Sequence, residues 1–260
     1  MTNKNTNVAV LDYDGYICKA FFATLAKDEN AGIDEMMEIL MSLEKSAEEK
    51  AESFFNGEEF KIIRAVSGHT FKKDIYPSYK LSRKKNEQLG YFREYVKDEL
   101  SEIITCIPFL EADDIIVSIA SCVGIKSLVF SDDKDLKYYC YNHCKINITE
   151  NIESKDYFKE RLEQFLVGDR EDNVTGIPKV GEVTARKILE ANSYTLESII
   201  RAYRDKEIDI DECAKNLILI TPIMIPVEDD FTFNSEKAYR AMLADIEVMT
   251  DKIKEVYING

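Results

Sequence analysis

The sequence predicts an α/β fold, a mainly parallel central sheet flanked by helices, followed by a mainly helical region. Three observations carry that reading. Apolar strand-like runs alternate with stretches of helical periodicity over about the first 160 residues, the pattern of a parallel sheet with crossover helices. Two of those strands run straight into aspartates, and beyond about residue 160 the strand signals give way to helical ones.

Taken in order, "NVAVLDYDG" reads as a buried strand, with Val8, Val10 and Leu11 apolar and acids at its end. Ile33 to Phe55 places Ile33, Met37, Leu40, Ala47, Ala51 and Phe54 near helical spacing. "FKIIRAV" is a second strand, and "FKKDIYPSYKLSRKK" is a basic, aromatic stretch interrupted by Pro77. Asn86 to Ile107 reads as one long amphipathic helix. "EADDIIVSIASCV" is a helix with acids in its first turn, where the helix dipole favours negative charge. "KSLVFSDDKDL" is a strand running into acids, and "KINIT" is a short strand. "DYFKERLEQFLVG" and "VTARKILEA" are helices, and Ser235 to Ile258 is a final helix with a Met and Ile stripe. The expected organisation is residues 1–160 as the α/β core, with a basic region at about 70–100, then 161–225 as a helical region and 226–260 as a tail.

The 260 residues are 45% hydrophobic and 32% charged, a composition that supports a globular core. No apolar run reaches the length of a membrane span, and "MTNKNTNVAVLDYDG" lacks a basic-then-apolar signal pattern. The six cysteines are scattered, mostly in apolar stretches. The expectation is therefore a cytoplasmic monomer with reduced thiols and no membrane contact. "CYNHC" (Cys140 to Cys144) hints at a metal clip, but no second ligand pair follows, and structural zinc needs four ligands.

A net charge of −15 argues against a nucleic-acid partner only if the charges are evenly spread. They are segregated. Lys72, Lys73, Lys80, Arg83, Lys84 and Lys85 stand against Asp74 alone in one short segment. Acids group elsewhere: Asp12, Asp133 and Asp135 follow strands, Glu111, Asp113 and Asp114 open a helix, and Asp169 and Asp172 lie three apart at a helix end. Carboxyl ends of parallel strands open onto one crevice. Carboxylates packed there repel one another unless cations are present. Hard divalent ions are the natural remedy, and Mg²⁺ suits a few carboxylates plus waters. Two such ions would clamp the attacking and leaving oxygens of a phosphodiester. In "GIPKVGEVTAR", Gly176, Pro178 and Gly181 bend the chain so that the following helix points its amino end outward, where free N–H groups bind phosphate.

These motifs resemble the 5′ nucleases: flap endonucleases, phage-type 5′ exonucleases and the 5′-nuclease domain of bacterial DNA polymerase I. "VLDYDGYICKAFFA" is similar to the family's opening strand, Asp12 falling on its metal aspartate and Lys19 on a basic position. "FKKDIYPSYKLSR" resembles its clamp, with Tyr79, Lys80 and Arg83 on aromatic and basic positions. "EADD", "SDDKDL" and "GDREDNVTGIPKVGEVTARKIL" match further motifs in the family's order, over roughly Val8 to Leu189. "KNLILI" also resembles a late segment of the phage members.

The resemblance implies a PIN-like core and a helix–three-turn–helix that lays backbone amides, with a bound K⁺, against duplex phosphates. It implies a first metal at Asp12, Glu111 and Asp113 with Asp114 nearby, and a second at Asp133, Asp135, Asp169 and Asp172. Catalysis would rest on Asp12, Lys80 and Arg83, with two Mg²⁺ ions replaceable by Mn²⁺. DNA contacts would come from Lys19, Lys72, Tyr79, Lys80, Arg83, Lys84, Gly176, Lys179, Gly181 and Thr184, Tyr79 stacking on a base of a 5′ end or flap. The substrate would be DNA, with RNA in RNA/DNA hybrids as a second form, and the partners a polymerase or single-strand-binding protein. Asp14 and Asp132 match no family ligand and read as local surface acids. Two positions depart from the pattern: the family's second-strand aspartate falls on Ala65, and Lys179 stands where glycine is usual. Ala65 motivates one rival reading, a structure-specific DNA-binding protein with weakened catalysis. A phosphatase acting on small molecules would leave the basic segment and the turn unexplained.

Overall fold

The computed structural model describes residues 6–133, 135–136, 145–146 and 154–259. The chain forms two compact units, one of residues 1–69, 84–151 and 225–235, the other of 70–83, 152–224 and 236–260.

The first unit is built on a five-stranded parallel sheet in the order β3-β2-β1-β4-β5. Its strands are β1 (Asn7–Asp12), β2 (Phe60–Ser67), β3 (Ile104–Ile107), β4 (Ser127–Phe130) and β5 (Lys145–Ile146). Central β1 is buried on both faces, which is why "VAVL" (Val8 to Leu11) reads as an unbroken apolar run. Its alternate residues serve two layers. Ala9 and Leu11, with Val66 of β2 and Leu128 and Phe130 of β4, join a core with α1 (Tyr13–Leu25), α2 (Ile33–Phe54) and α4 (Glu87–Glu99). The helix α5 (Ala112–Val123) packs on β1, β2 and β4. Its apolar residues lie outside that core, so it covers the opposite face, toward Val8 and Val10.

The second unit contains the one-turn α3 (Lys72–Ile75), α6 (Ser154–Val167), α7 (Glu182–Asn192), α8 (Leu196–Asp205), α9 (Ile210–Ile220) and α10 (Ser235–Asn259). All but the first residue of α10 belong to it. A two-stranded antiparallel ribbon joins β6 (Gly168–Asp169) to β7 (Val174–Thr175). The core gathers Leu162, Phe165 and Leu166 of α6, Leu189, Ile199, Tyr203 and Leu217. Tyr203 donates its hydroxyl proton to the Phe165 carbonyl at 2.8 Å, pinning α8 to α6 from inside.

Two expectations need correction. The helix expected over 86–107 ends at Glu99, and Ile104–Ile107 form β3 beside Arg64–Ser67. β-Branched residues crowd this stretch (Ile103, Ile104, Thr105, Ile107), and they lose rotamer freedom in a helix but suit a pleated sheet. Asp169 and Asp172 do not sit on a helix end either. Gly168 at φ +84° stops α6, because that conformation cannot continue a right-handed helix. A Cβ there would also lie 2.3 Å from the Gly176 nitrogen. Of "KINIT", Lys145 and Ile146 form β5 and the remainder lies outside the described residues, as does "CYNHC".

One charged network ties the first unit together. Arg64 on β2 pairs with Glu44 on α2, donating from Nε at 2.8 Å, and the Tyr13 hydroxyl donates to the same carboxylate at 2.7 Å. Both charged side chains are 14% exposed, so each is costly without the other. Replacing Glu44 by alanine strands the Arg64 charge, and urea unfolding should show a loss of about 3 kcal/mol.

Candidate functional site

In the α/β unit, Asp12 ends β1 and begins α1. Its Oδ1 accepts the Gly15 N–H at 3.3 Å as an N-cap, and its Oδ2 accepts the Ser131 hydroxyl proton at 2.7 Å. The same Ser131 oxygen accepts the Asp133 N–H at 3.0 Å, and Asp133 Oδ1 accepts the Asp135 N–H at 2.7 Å. The acids after β1 and β4 are thus joined through one hydroxyl. Burial above all, with the Asp14 and Asp133 charges, pushes the Asp12 carboxyl up to about 6 against the lowering effect of the Ser131 and Gly15 hydrogen bonds. Burial, Asp132 and Asp12 likewise push the Tyr16 phenol up.

Ala65 stands directly opposite Asp12 in register and is fully buried, so β2 supplies no carboxylate there. Asp14 is not the surface acid expected. Its Oδ2 accepts the Ser67 N–H at 2.9 Å and its Oδ1 lies 3.2 Å from Arg93 Nε of α4. Ser67 Oγ in turn accepts the Ala112 N–H at 3.0 Å, fastening the start of α5 to the end of β2. Asp132 does lie on the surface, paired at 2.5 Å with Lys19, whose ammonium is also 5.5 Å from the Tyr16 ring centre.

Glu111, Asp113 and Asp114 open α5 as expected. Asp114 is fully buried, and its Oδ2 accepts the Glu111 N–H at 2.9 Å while the Glu111 side chain caps the Asp114 N–H. This reciprocal capping box accounts for their burial on structural grounds. Asp113 is partly exposed in the first turn.

In the helical unit, the basic segment is fastened to the turn after β6. Asp172 accepts from the Tyr79 hydroxyl at 3.1 Å and pairs with Arg83 and, at 3.8 Å, with Lys80. The Lys80 N–H donates to the Asp172 carbonyl at 2.9 Å, and Asn173 Nδ2 donates to the Ser78 carbonyl at 3.0 Å. Tyr79 was expected to stack on a base. It is instead 3% exposed within the apolar core of this unit, where its ring leaves water and its hydroxyl finds a carboxylate. Lys72, expected to face DNA, is also buried, its ammonium 5.8 Å from the Tyr79 ring centre. Arg83 is half exposed, and Lys84 is exposed in the α/β unit. Asp169 lies near Asp172 because its Oδ1 accepts the Glu171 and Asp172 N–H groups, and its Oδ2 accepts from Gln164 at 2.9 Å.

The glycine turn divides by role. Gly176 serves close packing: a Cβ there would lie 2.2 Å from the Val167 carbonyl carbon. Gly181 has open space around it and is the N-cap of α7, whose first turn exposes Glu182, Val183 and Thr184. Lys179 adopts φ +64°, the left-handed conformation that glycine takes freely, at a cost of about 1 kcal/mol. Its side chain is exposed beside the amino end of α7.

Among the described residues, no group of three Asp, Glu, His or Cys side chains converges to hold a metal by itself. The donor set still suits a hard cation. Asp12 and Asp133 offer only oxygen, and Asp12 carries a charge that its surroundings leave undercompensated. An Mg²⁺ that keeps several waters needs only one or two such carboxylates. Sequence reasoning missed Ser131 and Arg93. The one available signal was a serine set between a strand and its aspartates in "FSDD". No helix among the described residues is long and apolar enough to cross a membrane.

The family "5′-3′ exonuclease, N-terminal resolvase-like domain" matches residues 7–164. The 5′-3′ exonuclease of Buchnera aphidicola subsp. Baizongia pistaciae is 30% identical over 211 residues, covering 72% of this chain and 67% of that protein. DNA polymerase I of Rhizobium leguminosarum is 34% identical over 148 residues, covering 50% of this chain and 14% of the polymerase. The chain thus spans a small part of the polymerase and two thirds of the exonuclease. Among solved structures, the zinc-bound T5 5′-exonuclease superposes with a TM-score of 0.60 at 17% identity, over 96% of this chain and 99% of that one. That likeness confirms the fold.

The raised Asp12 carboxyl fixes the sign of a pH effect. Its acid form is favoured by folding, so metal-free protein loses stability as pH rises from the ordinary aspartate range through about 6. In EDTA, Asp12→Asn should unfold at higher urea than wild type at pH 7.5, and the difference should shrink toward pH 4.5.

Proposed function

Because the chain belongs to the 5′-3′ exonuclease family, we propose that it is a divalent-metal-dependent, structure-specific nuclease that hydrolyses DNA phosphodiesters near 5′ ends and flap junctions. The observation that carries this reading is the undercompensated Asp12 carboxylate, joined through Ser131 to Asp133 at the carboxyl edge of a parallel sheet. Like charge held there at a folding cost calls for a cation.

Asp12 and Asp133, which the resemblance gives to separate ions, are linked through Ser131 and would share one cation; Asp135, Glu111, Asp113 and Asp114 keep the ligand roles that the resemblance gives them. Asp169 and Asp172 keep the ligand role that the resemblance gives them. The proposed ions are Mg²⁺, replaceable by Mn²⁺, with K⁺ at the glycine turn. When bound, two divalent ions would stabilise the attacking and leaving oxygens of an in-line displacement. The chain's own groups do the rest. Lys80 and Arg83 would exchange the Asp172 carboxylate for a substrate phosphate, holding it by charge-assisted hydrogen bonds. Lys19 and Lys84, both exposed, add backbone contacts. The free N–H groups at the start of α7, with Lys179 beside them, would bind duplex phosphate. The zinc-bound state of the T5 5′-exonuclease supports a divalent ion. RNA/DNA hybrids as substrate, and a polymerase or single-strand-binding protein as partner, belong to the same proposal.

Ala65 keeps a binding-only protein as the second reading, since β2 offers no acid opposite Asp12. Labelled flap DNA incubated with Mg²⁺ and then with EDTA separates the two. Cleavage that needs the metal supports the nuclease, and no cleavage at any Mg²⁺ or Mn²⁺ concentration leaves the binding protein. Asp135→Asn should abolish cutting while flap binding, followed by gel shift, survives. Lys80→Ala should lower kcat about tenfold or more with a smaller effect on flap affinity, as expected of a group that meets charge in the transition state.

A further inference from the structure

We propose that Ser131 is a positioning residue, whose hydroxyl holds Asp12 and Asp133 in the arrangement that receives a divalent cation. The inference rests on the metal-dependent reading above and assigns to a neutral side chain the task of assembling the acids.

Ser131 follows the last residue of β4 and is 6% exposed. β4 runs parallel to β1 with Leu11 opposite Phe130, so one further step sets Asp12 opposite Ser131. A hydroxyl carries one proton and two lone pairs, so it can donate and accept together. Both capacities are used: the proton goes to Asp12 Oδ2 at 2.7 Å and a lone pair takes the Asp133 N–H at 3.0 Å. Asp133 Oδ1 then orders the Asp135 backbone at 2.7 Å. A single side chain therefore fixes the rotamer of the β1 acid and the backbone path of the two acids after β4.

The choice of a hydroxyl has a physical reason. Asp14, two residues on, has Arg93 at 3.2 Å, so its charge is already met by a cation. A cation in the Ser131 position would satisfy Asp12 in the same way and compete with a metal for it. A hydroxyl supplies one hydrogen bond and no charge, which orders the carboxylate and leaves its negative potential in place. Partners of this kind, which orient a ligand without touching the ion, are typically worth 10–100-fold in metal affinity.

The test uses full-length wild type, Ser131→Ala and Ser131→Thr, stripped with EDTA and dialysed. Mn²⁺ binding is read from the electron paramagnetic resonance signal of the free ion, and the melting temperature is measured without metal. Ser131→Ala should weaken Mn²⁺ binding about tenfold or more with a melting temperature close to that of wild type, and Ser131→Thr, which keeps the hydroxyl, should restore most of the affinity. In cleavage assays the Mg²⁺ concentration for half-maximal rate should rise in Ser131→Ala while the KM for flap DNA stays put, a split that general loosening of the fold would not give. Should Ser131→Ala fail to fold, Ser131→Cys takes its place and should show an intermediate loss. Wild-type Mn²⁺ affinity in either variant, or a threonine variant as weak as the alanine one, overturns the inference. Wild-type protein that binds no Mn²⁺ would remove the metal reading itself, a different result from wild-type binding that is indifferent to Ser131.

Discussion

Negative charge held at the carboxyl ends of β1 and β4 is the constraint on which the proposed chemistry depends. Asp12 is kept partly out of water with Asp133 and Asp14 near enough to raise its carboxyl to about 6. A fold optimised for stability alone would fill that place with an apolar or hydroxyl side chain. The carboxylate persists against its own desolvation, supported by one serine and one backbone amide. Sites that work against folding in this way are where function is to be sought.

The rest of the α/β unit can be understood as the frame for that charge. The register of the parallel sheet brings the ends of β1 and β4 side by side, with apolar layers on both faces to make the edge rigid. The edge is then braced by short polar links. Asp14 joins α1 to β2 through the Ser67 amide, and Ser67 joins β2 to α5 through the Ala112 amide. The helical unit applies the same economy to a different end. There Asp172 neutralises two cations of the basic segment and fixes its path, while Gly168 and Gly176 let two backbones approach more closely than any side chain would permit.

Much of this was legible in the sequence, for identifiable reasons. Strands such as "VAVL" announce themselves because burial on both faces demands unbroken apolar residues, and α2 because one buried stripe demands helical spacing. The acids were legible because carboxylates at strand ends are hard to explain otherwise, and the place of Ala65 followed from the family resemblance by counting back from Phe71. What escaped was whatever depends on tertiary context. β3 was absorbed into a helix because the amphipathic pattern of α4 runs on past Glu99. Tyr79 and Lys72 look like surface groups in a basic stretch, yet packing within the helical unit withdraws both. The role of Asp14 could not be read at all, since its partners lie 53 residues away on β2 and on α4.

The central claim is that Asp12 and Asp133 form the seat of a divalent cation. Anomalous diffraction from crystals soaked in Mn²⁺ tests it most directly. The account predicts a peak within coordinating reach of the Asp12 carboxylate, on the side shared with Asp133. Anomalous density confined to other acids, with Asp12 still bonded only to Ser131 and Gly15, would contradict it.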